Sequence, residues 1–242
     1  MTDSRNPHGQ PIGAPLAMAF PRPLPPKTPM SGRYCSLVPT DIDAHASGLF
    51  DAFSADQPGR NWTYLPYGPF THTSEFRHWM EQTCVKADPL FHTILDTDGR
   101  ACGLASYLRI DPAAGVIEVG HIHLAPALQR TAAATEAMFL MMARVFDELG
   151  YRRYEWKCDA LNEPSRQAAV RLGFSFEGVF RKATHYKGRN RDTAWYSVID
   201  EEWPALRNMF QQWLSSANID AHGHQDRSLQ ALRTATARPV TG

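Results

Sequence analysis

A mixed α/β fold, of the α+β kind, is what the sequence predicts, and three observations predict it. The first is a run of three strand-like stretches with turn signals between them: Leu90–Leu95, Ala101–Ile110 and Val116–Leu124, joined by Thr97-Asp98-Gly99 and by Asp111–Gly115. The second is the alternation that follows, strand–helix–strand–helix–strand, which needs a sheet containing a parallel pair. The third is Thr131–Leu149, an apolar helical stretch closed by Gly150 at the position where a left-handed cap is wanted. Together they imply a mixed sheet with helices on both faces.

The elements follow in order. Residues 1–32 hold eight of the 18 prolines with Gly9, Gly13 and Gly32, and read as an extended arm, because proline gives no amide to a ladder or a helix. Tyr34–Val38 is a short strand. Thr40 can cap a helix carrying Ile42, Leu49, Phe50 and Phe53. Asn61–Phe70 is an aromatic loop, and Thr73–Val85 a helix with Phe76, Trp79, Met80 and Thr83 at helical spacing. After the meander and the long helix come a strand at Arg152–Cys158 and a helix at Pro164–Leu172, stopped by Gly173. Strands Phe174–Thr184 and Thr193–Ile199 flank a basic turn, Lys187–Arg191, and Glu201–Leu214 closes the fold. From Ser215 to Gly242 large apolar residues are few, so the expected organisation is an arm (1–32), one domain (33–214) and a flexible tail (215–242) in which only a short helix near Arg227–Arg233 is allowed. Removing either end is expected to leave a folded core.

Composition excludes several classes. Twenty-five basic and 25 acidic side chains cancel, against a protein built to grip nucleic acid. No stretch approaches the ~20 apolar residues of a membrane span. The start, MTDSRNPHGQ, lacks a secretion signal, and Cys35, Cys84, Cys102 and Cys158 form no CxxC pair; both point to the cytoplasm. The motifs GxxxxGK[ST] and GxGxxG are absent, against a P-loop or Rossmann site.

The chemistry concentrates between Glu118 and Phe174. The strand Val116–Leu124 runs through a loop of small residues, Gln129-Arg130-Thr131-Ala132-Ala133-Ala134-Thr135, into the long helix. Amides at a helix start, with the helix dipole and Arg130, make an anion site; a plain helix start is the other reading. Downstream stand Asn162 and Ser165 before a helix that ends in Leu172-Gly173-Phe174. Meander, small-residue loop, helix, strand, Asn-x-x-Ser, helix and Leu-Gly-Phe, in that order, resemble the GNAT superfamily of acetyl-CoA-dependent N-acyltransferases. Within it the chain looks most like the branch that acetylates ribosomal-protein N-termini, which Gly188–Asp192, Trp195, Tyr196, Glu202 and Trp203 also resemble. The resemblance covers about residues 33–214.

The resemblance implies a central, mostly antiparallel twisted sheet with helices on both faces. It implies acetyl-CoA as cosubstrate, held by His123, Leu124, Gln129, Arg130, Thr131, Ala132, Ala133, Ala134, Thr135, Asn162 and Ser165, with no metal. Asn162 can equally cap its helix, and both roles are compatible. The family's two loop glycines are Ala132 and Ala134 here, which suit right-handed backbone and put in question how closely a pyrophosphate approaches. The tyrosine that protonates the leaving thiolate in many members is Ala169, so Ser165 or a water must act instead.

Amine acylation needs a base and oxyanion donors; the donors would be strand amides between Val116 and Leu124. Glu118, eleven residues before Gln129, resembles the base glutamate of the histone-acetylating branch; a salt-bridge role is its alternative. Strict alternation places Glu118, Gly120 and Ile122 on one face and Val119, His121 and His123 on the other, which makes Glu118 and His121 rival bases unless a β-bulge lies between them. The aromatic loop supplies Trp62, Tyr64 and Tyr67 as acceptor-binding candidates, with core packing as their alternative. The expected function is acetyl transfer from acetyl-CoA to a primary amine, a peptide N-terminus or a small molecule, by direct attack; an inactive acyl-CoA sensor is the rival. No membrane or nucleic-acid partner is expected, and a homodimer is left open.

Overall fold

The structure, a computed structural model, describes residues 4–220 and 224–236. Two short strands, β1 (Ser4–Arg5) and β2 (Pro11–Ile12), pair with each other at the N-terminus. The main sheet has eight strands: β3 (Met30–Ser31), β4 (Ser36–Pro39), β5 (Leu90–Leu95), β6 (Ala101–Asp111), β7 (Val116–Leu124), β8 (Arg153–Asp159), β9 (Ser175–Tyr186) and β10 (Arg189–Ile199). Their order across the sheet is β3-β4-β5-β6-β7-β8-β10-β9. Every neighbouring pair is antiparallel except β7 and β8. No helix of the described residues is long and apolar enough to cross a membrane.

One face of the sheet carries α1 (Ile42–Ser54) and α2 (Thr73–Thr83), which bury Leu49, Phe53, Phe76 and Met80 against Phe91 and Leu104. The N-cap of α1 is Asp41, not Thr40: its carboxylate accepts from the Ala44 amide, while the Thr40 hydroxyl lies 3.1 Å from that of Thr93. The other face carries α3 (Ala132–Ala143), α4 (Glu163–Arg171) and α5 (Trp203–Leu214). Phe139, Phe146, Trp203 and Phe210 stack there, and Trp203 Nε1 donates to Asp147. Past Ala143 the long helix loosens into a π turn, Arg144–Glu148, before Gly150 ends it with φ at 63°.

Three charged side chains tie the N-terminal segment down. Arg22 donates twice to the Leu149 carbonyl, and Arg144 donates to the carbonyls of Thr28 and Pro29. Glu136, buried in α3, accepts the amides of Arg33, Tyr34 and Cys35. The carboxylate sits so close to Gly32 that a Cβ there would meet it at 2.3 Å. The arm read from the sequence therefore ends inside the sheet, at β3.

The stretch read as a flexible tail departs from expectation. A helix, α6 (Leu229–Thr236), packs on α5, and Leu229 and Leu232 join the main core. Two apolar residues one helical turn apart are too weak a period to stand out in polar sequence, but enough to dock the helix on α5. Asn218 fixes the connection, its amide donating to the carbonyls of Trp213 and Arg227. Leu232→Ala should cost about 2–5 kcal/mol, and removal of residues 225–242 should lower Tm. An unchanged melting curve for both would mean that α6 does not dock.

Candidate active site

The site arises where the parallel pair comes apart. Val116, Ile117, Glu118 and Val119 of β7 pair with Arg153, Tyr154, Glu155 and Trp156 of β8, and the ladder stops there although both strands continue. The cause lies on the other side of β7. Between the pairs Ser106–Gly120 and Leu104–His123, the two residues His121 and Ile122 stand opposite Ala105 alone. His121 takes φ 50°, a left-handed value uncommon outside glycine. This bulge re-aims the end of β7 away from β8.

A cavity of about 200 Å³ fills the opening. Its walls are Leu108 and Arg109 of β6, Glu118–Ile122 of β7, Trp156–Asp159 of β8, Asn162 and Ser165 at the start of α4, Tyr64–Pro66, and Arg191 of β10. Glu118 is only 3% exposed. Its carboxylate accepts from Arg109 Nη1 at 2.7 Å and ion-pairs with Lys157 Nζ at 2.9 Å. Burial, the largest influence, pushes the Glu118 carboxyl up, and the two cations oppose it. Lys157 also meets Glu155 at 2.7 Å and lies 3.7 Å over the Trp195 ring; Arg153 links Glu155 to Glu177. His121 Nδ1 hydrogen-bonds the Tyr67 hydroxyl at 3.1 Å, and burial holds its imidazole pKa down at about 4, with Arg109 adding to the effect. Ser165 Oγ accepts from Trp156 Nε1, which leaves its own hydrogen to donate.

At the far end of β7, Thr131 caps α3. Its hydroxyl accepts from the Ala134 amide and donates to the Leu128 carbonyl. The first-turn amides of Ala132 and Ala133 have no acceptor inside the helix. In this loop only Arg130 is left-handed, with φ 62°; Ala132 and Ala134 lie within α3. Alanine in place of glycine is thus compatible with the backbone.

The model of the acetyltransferase (GNAT) domain family matches residues 37–175, more than half of the chain. This protein belongs to the GNAT family. A GCN5-related N-acetyltransferase from Brucella melitensis is 46% identical; the alignment covers 90% of this chain and all of that one, with a TM-score of 0.88. A GNAT-family protein from Chromobacterium violaceum is 40% identical over 81% of this chain and 98% of its own, with a TM-score of 0.75. YdaF of Bacillus subtilis, whose name proposes ribosomal N-acetylation, is 29% identical over 106 residues. That match takes in 44% of this chain and 57% of YdaF, so the chain spans little more than half of that curated relative.

In this GNAT domain, Glu118, His121, Asn162, Ser165 and Tyr64 all reach one cavity. Strict alternation of side chains breaks at the bulge. Glu118, Gly120 and His123 pair with Leu108, Ser106 and Leu104, alternate residues of β6, and so share a face; His121 lies against Phe91 and Tyr67 on that face too. Glu118 and His121 are therefore neighbours in one cavity. Asn162 is the N-cap of α4, accepting from the Ser165 amide. Ala169, one turn after Ser165, is fully buried in the core.

Other candidates fall outside the cavity. Trp62 is 6% exposed and packs on Phe53, Phe70 and His123, as core. Tyr67 positions His121 from behind. The His123 ring lies between Phe53 and Trp62 at 4.0 Å from each, so only its backbone could reach a ligand. Leu124 ends β7, its carbonyl accepting from Gln129 Nε2. Thr135 is buried, and its hydroxyl accepts from Arg171. The basic turn is exposed yet anchored: Lys187 Nζ and Arg189 Nη2 donate to the carbonyls of Trp62 and Thr63, and the Tyr64 hydroxyl donates to that of Leu161. Sequence reasoning missed Arg109, Lys157 and Glu155. The sign was available in β8, where Arg153, Glu155, Lys157 and Asp159 put a charge at every second position of a central strand.

Burial lowers His92 and His121 to about 4 and His123 to about 3. The folded protein then binds fewer protons than the unfolded chain below about pH 6.5, so this stability is present above 6.5 and is lost as the pH falls toward 4 and 3. Tm should drop over that window, and His123→Phe should flatten the slope by about 1.4 kcal/mol per pH unit. A slope unaffected by the substitution would show that His123 is already charged in the fold.

Proposed function

We propose that this GNAT domain transfers the acetyl group of acetyl-CoA to a primary amine, by direct attack within a ternary complex. The observation that carries the reading is the parted β7–β8 pair, with a buried carboxylate, a neutral imidazole and a serine hydroxyl on the walls of the gap. Acetyl-CoA would supply an activated acyl group, and the residues fit it. The first-turn amides of α3 offer donors to phosphate. The open edges of β7 and β8 beyond Val119 and Trp156 offer unpaired backbone groups to an amide-bearing chain. The Asn162 side-chain amide stands at the mouth of the same gap.

The roles follow from chemistry. Glu118 receives the amine's proton: burial raises its carboxyl, while Arg109 and Lys157 oppose that shift and fix its direction. His121 is the second acceptor, on the same wall and kept uncharged by burial. Ser165 donates to the departing thiolate, at the place that Ala169 leaves without a hydroxyl. The α-amino group at a peptide N-terminus, with a pKa of about 7.7–8.0, needs less help to lose its proton than an alkylamine. The cavity then acts largely by holding amine and thioester together.

Acetyl-CoA consumption across an amine panel tests the reading. CoA binding without turnover on any amine would favour the sensor reading. Ala132→Glu should abolish CoA binding, because a carboxylate would meet the phosphates at the start of α3; retained affinity would move the site elsewhere. Glu118→Gln should keep CoA affinity but lose about 10²–10⁴-fold in rate, with activity recovering as pH rises and free amine accumulates. In the wild type the rate should fall on acidification through the raised Glu118 carboxyl. Near-normal turnover in Glu118→Gln together with loss in His121→Ala would transfer the base role to His121.

A further inference from the structure

Arg191 lies near the start of β10, beside the end of β8 that supplies Cys158 and Asp159 to the cavity. In the same hairpin, Lys187 and Arg189 are engaged by the carbonyls of the aromatic loop. Arg191 is not. It lines the cavity, and its Nε is closed off from solvent without a hydrogen-bond partner among the described residues. The Tyr186 ring lies 6.0 Å from its guanidinium.

The acids that could answer it are committed. Asp159 accepts from the Leu161 amide at 2.9 Å and from the Tyr186 hydroxyl at 2.7 Å. Glu118 sits between Arg109 and Lys157. A guanidinium offers a planar fork of donors that matches a carboxylate. Partly desolvated and without a counter-ion, it is in a costly state that an incoming anion relieves.

We infer that Arg191 receives an anionic group of the acceptor, so that the substrate is a primary amine carrying a carboxylate. A polycation such as a polyamine or an aminoglycoside would bring only like charge to this wall. Two sources meet this description: the α-carboxylate of a free amino acid, and an acidic side chain beside a peptide N-terminus. The inference rests on the acetyl-transfer reading of the same cavity.

The test uses two matched pairs of acceptors with the CoA-loaded protein: alanine against alaninamide, and Ala-Glu-Ala-amide against Ala-Gln-Ala-amide. Binding by calorimetry and acetylation rate are measured for each. The carboxylate member of at least one pair should bind about tenfold more tightly, and the pair that responds identifies the source. Arg191→Gln should bring that ratio to about one, and Arg191→Lys should keep part of it. No carboxylate preference in the wild type overturns the assignment, as does a preference that survives Arg191→Gln. Acetylation of amines without such a preference would remove the role of Arg191 and leave acetyl transfer standing. Preferential binding without acetylation of any amine would do the reverse.

Discussion

The site depends on one backbone event, the extra residue in β7 at His121–Ile122. Without it, β7 would continue beside β8, the ladder would close, and every amide in the gap would be bonded to the neighbouring strand. With it, pairing ends at Val119–Trp156, and the sheet contains an opening at its only described parallel junction. The same bulge shifts the alternation of side chains, so that Glu118 and His121 come to one cavity and the His123 ring goes into the aromatic core. A left-handed histidine is strained; its ring is held by Tyr67 and Phe91, so the cluster around α1 and α2 supports the conformation that opens the site.

Beside the opening, a line of charges crosses the sheet: Arg109, Glu118, Lys157, Glu155, Arg153 and Glu177, from β6 through β7 and β8 to β9. Buried ion pairs return little net stability, but losing one member leaves its partner exposed to the full cost of desolvation. The line therefore matters more for placement than for stability. It fixes the direction of Glu118 on the cavity wall, and it places Lys157 between two carboxylates and over an indole ring, where the cation is satisfied on several sides.

The roof of the cavity is held by backbone carbonyls rather than by apolar contact alone. Lys187 and Arg189 bind the carbonyls of Trp62 and Thr63, while Tyr64 binds that of Leu161. The loop after α1, the hairpin of β9 and β10, and the turn before α4 are thereby joined over one space. Lys187 and Arg189 of that hairpin are engaged in this closure, while Arg191 lines the cavity.

The sequence by itself determined most of the elements between residues 33 and 214. The meander, the helix closed at Gly150, the Asn-x-x-Ser start of α4 and the Gly173 stop all depend on neighbours within a few residues, and each lies where the sequence puts it. Of the side chains on the cavity, Asn162 and Ser165 were legible as a helix-start motif, Glu118 and His121 from the strand before the small-residue loop and its resemblance, and Tyr64 as an aromatic of the loop. The tertiary structure alone decided which side chains meet. Alternation along β7 could not foresee a bulge set by its register with β6, and no local pattern distinguishes Trp62, sealed against His123, from Tyr64 two residues later, which faces the cavity. The pairing of Glu118 with Lys157 and the docking of Leu229 and Leu232 likewise join residues far apart in the chain. Such contacts are fixed by how the layers pack, which is a property of the whole chain and not of any window along it.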